Sequence, residues 1–372
     1  MSETIVRTAV DRRPSLPFWP ILSVAAPGLW LVMLAAAFAQ PAPQPPTVQP
    51  PAKPPVTVPP AKTPVAEPPA KTPVAKPPVA KAKPKEAEEP RKPPEPEPIT
   101  VETKDGWKIH CMYYAPMEKI RKGKQTVPII LLHGWGGQGS EWSYLATGLQ
   151  TYGHAAIVPD LRGHGRSTSR KEPDGSIETV KYDDLQPQDI ANMILDVEAV
   201  KGILMERNNA GELNIDMLTI IAAQEGCIIA MNWAVWDWHW PITTAGKQGQ
   251  DVKALVLLSP VDSYKRMNAT AALNTPVITK QLSLLFAVGD QDRKALAETS
   301  RMYSRIERIR PPLPENDPQE LLRLKDCFLV KAPTTLQGTA LTAKNLPVNR
   351  AIVTLIEMRL LRHRDEFPWT QR

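Results

Sequence analysis

From residue 99 onward the apolar residues of this chain fall into two alternating patterns. Short uninterrupted runs recur: VPIILL at 127–132, AAIV at 155–158, MLTIIA at 217–222, VKALVLL at 252–258, LSLLFAV at 282–288 and CFLVK at 327–331. Most have no polar face, which is what a strand buried on both sides of a sheet requires. Between them, apolar residues three and four apart predict helices over 140–152, 189–206, 226–236, 295–309 and 348–362. At the start of the series, residues 99–102 and 107–114 flank Lys104-Asp105-Gly106, whose Asp-Gly pair signals a hairpin turn. Strands alternating with helices predict an α/β fold: a mostly parallel sheet with helices on both faces.

The first hundred residues read differently. Residues 16–39 carry no charge and follow a stretch containing Arg7, Arg12 and Arg13. The run ends Ala37-Phe38-Ala39, a small-x-small pattern of the kind signal peptidases cleave. Two readings stay open: a cleaved signal peptide, or an anchor long enough to cross the ~30 Å hydrocarbon core of a membrane. Both imply export, to a periplasm or cell envelope, because the positive charges stay inside. Residues 41–98 then repeat PPAKPPVTV, PPAKTPVAE and PPAKTPVAK. Proline at this density blocks helix and sheet pairing, so the segment reads as a disordered, polyproline-prone spacer. Its lysines give it a means of touching anionic cell-wall polymers. The organisation is therefore 1–40 signal or anchor, 41–98 linker and 99–372 domain.

Charge alters the picture only by exclusion. The 372 residues hold 45 Lys+Arg against 39 Asp+Glu, a net +6. Residues 41–100 contribute nine basic and six acidic side chains, so half of that excess belongs to the linker. The basic balance is thus no argument for a nucleic-acid partner. Three widely spaced cysteines, Cys111, Cys227 and Cys327, exclude a disulfide scaffold and a cysteine-rich zinc site. No metal-ligand cluster, P-loop or dinucleotide fingerprint is present, and no cofactor is expected.

Two motifs carry a family resemblance. His133-Gly134-Trp135-Gly136-Gly137 follows a strand, and Asp160-Leu161-Arg162-Gly163-His164-Gly165-Arg166-Ser167 follows the next one. In that order and context the chain resembles the α/β-hydrolase fold family, near its serine aminopeptidase and monoglyceride lipase branch. The resemblance implies a nucleophile elbow after the strand at 217–222, an acid after the strand at 282–288, and a histidine after the last strand. The elbow reads Ala222-Ala223-Gln224-Glu225-Gly226, so Gln224 stands where the serine should be. Asp292 matches the acid, with Asp290 as second choice. The base position reads Leu336-Gln337-Gly338, so Gln337 replaces the histidine, and the only later histidine, His363, lies in the terminal helix. An amide is neither a nucleophile nor a titratable base near neutral pH. Trp135 and Glu225 match the positions whose backbone N–H groups form the family's oxyanion hole. His133 and His164 read as loop-fixing, and Gly134, Gly137, Asp160, Arg162, Gly163 and Gly165 belong to the same two motifs.

Rescue by another residue finds little support. Cys227 lies three residues past Gln224 and reads as buried sulfur. Ser140, Ser167 and Ser259 read as cap or turn serines. Trp233, Trp236, Trp238 and Trp240 read as packing around a helix rather than as a stacking surface. The expectation is an exported pseudo-hydrolase whose residual pocket binds a small molecule or peptide. A hydrolase using non-standard residues and a tethered structural module of the envelope are the alternatives.

Overall fold

The computed structural model describes residues 92–372 except Arg121, Ala245 and residues 315–317. The signal or anchor segment and nearly all of the proline-rich linker lie outside the described residues. Among those described, no helix is long and apolar enough to cross a membrane.

The chain enters through β1 (Glu97–Glu102) and β2 (Trp107–Tyr114), an antiparallel hairpin in which Ile99 pairs with Cys111. Its turn contains Gly106 at φ +86°, a left-handed conformation that glycine adopts without penalty. The strand β3 (Pro128–Leu132) follows, then α1 (Ser143–Thr151) and β4 (Ala155–Pro159). A hairpin of β5 (Ser169–Lys171) and β6 (Ile177–Thr179) precedes the helices α2 (Pro187–Ala191) and α3 (Ile194–Asn209). Next come β7 (Leu218–Ala223), α4 (Gly226–His239) and β8 (Val252–Leu258). After a small hairpin, β9 (Ser263–Tyr264) and β10 (Met267–Asn268), the chain forms β11 (Ser283–Gly289) and α5 (Arg293–Glu307). It closes with α6 (Pro318–Leu324), β12 (Cys327–Ala332) and α7 (Val348–Ile356).

Ten strands join one sheet in the order β12-β11-β8-β7-β3-β4-β2-β5-β6, with β1 paired to β2. From β12 to β4 every pairing is parallel. The strand β3 is the switch point: the chain runs outward to β4 on one side and returns to β7 on the other. Ligands of open parallel sheets bind where the order reverses, beyond the carboxyl ends of the strands.

Alternate side chains of each strand feed two cores. Ile130 and Leu132 of β3 join Ile220, Leu255 and Phe286 under α3, α4 and α5. Ile129 and Leu131 join Ile221, Val256 and Leu285 under α1 and α7. A sheet covered on both faces explains why the strands read as apolar runs.

Some expectations need correction. The helix expected over 140–152 opens as a 3₁₀ turn (Gly139–Trp142), and α1 proper starts at Ser143. The helix expected over 189–206 is broken at Asn192 and Met193, where Asn192 ends α2. The hairpins β5–β6 and β9–β10 and the helix α6 were not expected at all. Their strands are two or three residues long, too short for any periodicity to show. The tryptophans of α4 behave as packing. Trp233 is fully buried, the Trp238 indole donates to the Val252 carbonyl at 2.9 Å, and Trp236 meets Trp240 edge-on at 5.6 Å.

Candidate functional site

Gln224 sits at the first residue beyond β7 with φ +48°, in the left-handed region. A non-glycine residue there costs about 1–2 kcal/mol, so the surroundings must impose it. They do. The Gln224 N–H donates to the Leu258 carbonyl at 2.9 Å, and its own carbonyl accepts from Cys227 N–H at 3.1 Å. Two residues later, a methyl group on Gly226 would stand 2.5 Å from the His133 carbonyl oxygen, so only glycine fits where α4 begins. The result is a sharp strand-to-helix turn that presents an exposed side chain. The side chain it presents is an amide.

The surrounding loops converge on that amide. A methyl on Gly134 would lie 3.0 Å from Gln224 Oε1, and one on Gly338 would lie 2.8 Å from it. Gln224 is thus flanked by the loop after β3 and the loop after β12. Gln337, next to Gly338, points elsewhere. Its Oε1 accepts from Ser259 Oγ at 2.5 Å, and its Nε2 donates to the Gly289 carbonyl at 3.0 Å. The Gly289 N–H makes a longer bond to the same Oε1, 3.3 Å. Ser259 Oγ in turn accepts from Gly338 N–H at 3.0 Å. Ser259, read from sequence as a turn serine, is therefore the pivot that ties the last loop to the ends of β8 and β11. Like Gln224 it holds a left-handed φ, +49°.

Asp292 is engaged as well. Its Oδ1 accepts from Lys294 N–H and Ala295 N–H, both at 3.0 Å, which caps the N-terminus of α5. Asp290 uses its backbone N–H on the Ala332 carbonyl at 2.9 Å. His363 pairs with Glu366 at 2.8 Å beyond α7.

The oxyanion position is where the sequence reading falls short. Trp135 N–H was expected to be available for a ligand oxygen. Instead it donates to Glu225 Oε2 at 2.9 Å. The residue after the apex was read for its backbone N–H alone, yet its side chain folds back and places a carboxylate oxygen on one of the two expected donors. No residue type announces this; it depends on the rotamer that the turn allows.

The two motif segments are wired into the scaffold. His133 Nε2 accepts from Leu161 N–H at 3.0 Å, so the ring is neutral, with its proton on Nδ1 donated to the Gly134 carbonyl at 2.7 Å. Burial lowers its pKa. His164 Nδ1 meets the Arg162 carbonyl at 2.9 Å, and burial, reinforced by His133, lowers this imidazole to about 4. Asp160 accepts from Gly139 N–H at 2.7 Å and Arg166 N–H at 2.9 Å. A methyl on Gly165 would stand 2.3 Å from that carboxyl carbon. Arg162 is fully buried, bridging Asp196 at 2.7 Å and Asp105 of the first hairpin at 2.7 Å. Gly137 and Gly163 lie in the same two loops.

Cys227 is completely buried, with Sγ 3.2 Å from the Ala222 carbonyl, and burial pushes its thiol well above the ordinary range. It is no substitute nucleophile. Among the described residues no group of three or more His, Cys, Asp or Glu could hold a metal ion.

Unforeseen in the sequence is an aromatic wall beside the elbow. The Trp135 ring meets His164 at 5.2 Å, Tyr264 at 5.5 Å and Tyr182 at 6.1 Å, while Tyr182 stacks on His164 at 4.9 Å. The Lys265 ammonium lies 4.2 Å from the Trp135 ring centre.

Residues 127–214 match the alpha/beta hydrolase fold family. Solved structures that resemble the chain include an esterase from Pyrococcus furiosus, at 14% identity and a TM-score of 0.47, covering 71% of this chain and 91% of the esterase. A dienelactone hydrolase from Anabaena variabilis aligns at 16% identity and a TM-score of 0.40, over 72% of this chain and 97% of the enzyme. An acylaminoacyl peptidase from Pyrococcus horikoshii aligns at 13% identity and a TM-score of 0.46, over 72% of this chain and 42% of the peptidase. No curated protein matches the chain. The domain has the α/β-hydrolase fold.

Proposed function

We propose that this α/β-hydrolase-fold domain is a non-hydrolytic binding module, built on the enzyme scaffold and displayed in the cell envelope. One observation carries the reading: the Glu225 carboxylate sits on the Trp135 N–H beside an apex occupied by Gln224. Acyl transfer needs a nucleophile, a base to take its proton and donors for the oxyanion that develops. The Gln224 amide nitrogen has its lone pair delocalised into the carbonyl and is no nucleophile. Gln337 supplies no titratable nitrogen and is held by Ser259 and Gly289. Asp292 caps a helix. A carboxylate rests where negative charge would have to form, so repulsion opposes the transition state. What persists is the exposed elbow apex at the switch point of the sheet, with the loops after β3 and β12 converging on it, and we read it as a place for a small molecule or part of a peptide.

Display in the envelope rests on the uncharged segment 16–39 and the proline repeats, with the linker as a reach toward membrane or wall polymers. N-terminal sequencing of the native protein tests it: a start near Gln40, or recovery of the intact chain with membranes, is expected. An intact chain found free in the cytoplasm contradicts export.

The functional reading is tested by a fluorophosphonate probe, which reacts only with an activated nucleophile. The expected result is no labelling of the folded full chain. Labelling that maps to Ser259, Cys227 or any residue of the elbow overturns it, in favour of a hydrolase with non-standard chemistry.

A further inference from the structure

The site is inverted in charge relative to an ester-cleaving one, and the inversion points to a ligand class. At an oxyanion hole, backbone N–H groups await negative charge. Here one of them is occupied by Glu225, a half-buried carboxylate. The residue carrying that N–H, Trp135, turns its ring toward the β9–β10 hairpin, where Tyr264 stands 5.5 Å away at a tilt of 50°. Lys265, at the hairpin tip, places its ammonium 4.2 Å from the Trp135 centroid and 6.0 Å from that of Tyr264. Both lie within the range over which a ring face attracts a cation.

Lys265 reaches this position from φ +49°, an unfavourable conformation for a lysine. The hairpin is anchored from below by Asn232, which donates to the Asn268 carbonyl at 3.1 Å. The ammonium is exposed on a two-residue turn, so it can leave without disturbing the core. Desolvation first, and then the charges of Glu225 and Asp183, push the Tyr264 hydroxyl above its ordinary pKa.

We propose that the Trp135–Tyr264 face beside Glu225 is a binding site for an alkylammonium group, occupied in the free protein by the Lys265 side chain, which an incoming cation displaces. The inference rests on the non-hydrolytic reading of the same site. Lys265 acts as an internal competitor, and its removal should raise affinity for an external cation.

Calorimetric titration of the full chain at fixed ionic strength tests this with n-butylammonium chloride, the neutral and slightly longer alcohol 1-pentanol, and sodium acetate. Lys265→Ala should bind n-butylammonium about two- to fivefold more tightly than wild type, the value of one exposed cation–π contact. Neither 1-pentanol nor acetate should gain. Adding Tyr264→Leu to Lys265→Ala should remove the gain, with circular dichroism checking that the fold persists. Equal gains for 1-pentanol, tighter binding of acetate, or no binding of n-butylammonium to Lys265→Ala each overturn the proposal. Those outcomes leave the non-hydrolytic reading intact if the fluorophosphonate probe still fails to label, whereas labelling overturns that reading whatever the titration shows.

Discussion

The two edges of the parallel sheet use polar residues in opposite ways. At the amino edge, Lys201 of α3 bridges Asp237 of α4 at 2.6 Å and Asp251, just before β8, at 2.7 Å. Asp251 also meets Lys247 at 3.3 Å and pairs with Arg372, and Lys247 pairs with Asp216 before β7. Charges there are paired across five segments, and both Asp237 and Asp251 are fully buried. At the carboxyl edge, side chains in catalytic positions bond mainly to nearby backbone: Gln337 to Gly289, Asp292 to α5, Glu225 to Trp135. The first edge holds the fold together. The second keeps a sharp strand-to-helix elbow whose neighbouring polar side chains bond inward. Backbone geometry at an elbow is fixed by packing, such as the approach of Gly226 to His133, and does not depend on which side chain stands at the apex.

If this division is right, mutations at the two edges should differ in kind. The largest effect belongs to Lys201→Met, which leaves the buried Asp237 without its cation, takes one of three from Asp251, and should cost about 3–5 kcal/mol by urea unfolding. A cost under ~1 kcal/mol would place the network with ordinary surface pairs.

Acid should expose a second difference. His154, buried at the start of β4, has its pKa lowered to about 3, chiefly by desolvation, and His164 is at about 4. Unfolded histidines bind protons near pH 6.5 while the folded ones do not. Their contribution is therefore whole above that pH and falls as pH drops from about 6.5 toward 3. Asp251 behaves alike over a lower window. Burial raises its pKa, but Lys201 foremost, with Arg372 and Lys247, brings it down to about 2. Its contribution is present above the ordinary carboxylate range and lost as pH falls through 2. The urea midpoint should decline steadily from pH 7 to pH 4, and a flat profile would contradict the burial of these rings.

At the carboxyl edge, Gln337→Ala should cost about 1–2 kcal/mol, for the lost bonds to Ser259 and Gly289. Gln224→Gly should stabilise the domain by up to about 1 kcal/mol, because glycine relieves the left-handed apex. A destabilised Gln224→Gly would mean that the amide contributes to folding, against the view that it is only presented.

Sequence conveyed the sheet well, because a strand buried on two faces has no polar alternation to confuse and each run ends in turn residues. VPIILL and LSLLFAV could hardly be anything else. The positions of Gln224, Gln337 and Asp292 came from motif order, and the Gln224 side chain lies against Gly338, the residue after Gln337. Three things were not legible. The two short hairpins leave no periodic trace. The aromatic wall joins residues 135, 164, 182 and 264, which only tertiary packing assembles. The fold-back of Glu225 onto Trp135 is a rotamer, and sequence patterns carry no rotamers.

The filled oxyanion position is the claim on which the account turns, and ester hydrolysis tests it most directly. Turnover of p-nitrophenyl acetate should be measured for wild type, for Gln224→Ser with Gln337→His, and for that pair combined with Glu225→Ala. Wild type should match background. The pair should stay at least about 100-fold below the triple variant, since one oxyanion donor is worth about 10²–10³ in rate. Wild-type turnover that Glu225→Gln abolishes would contradict the account, making the carboxylate a participant in catalysis instead of its obstruction.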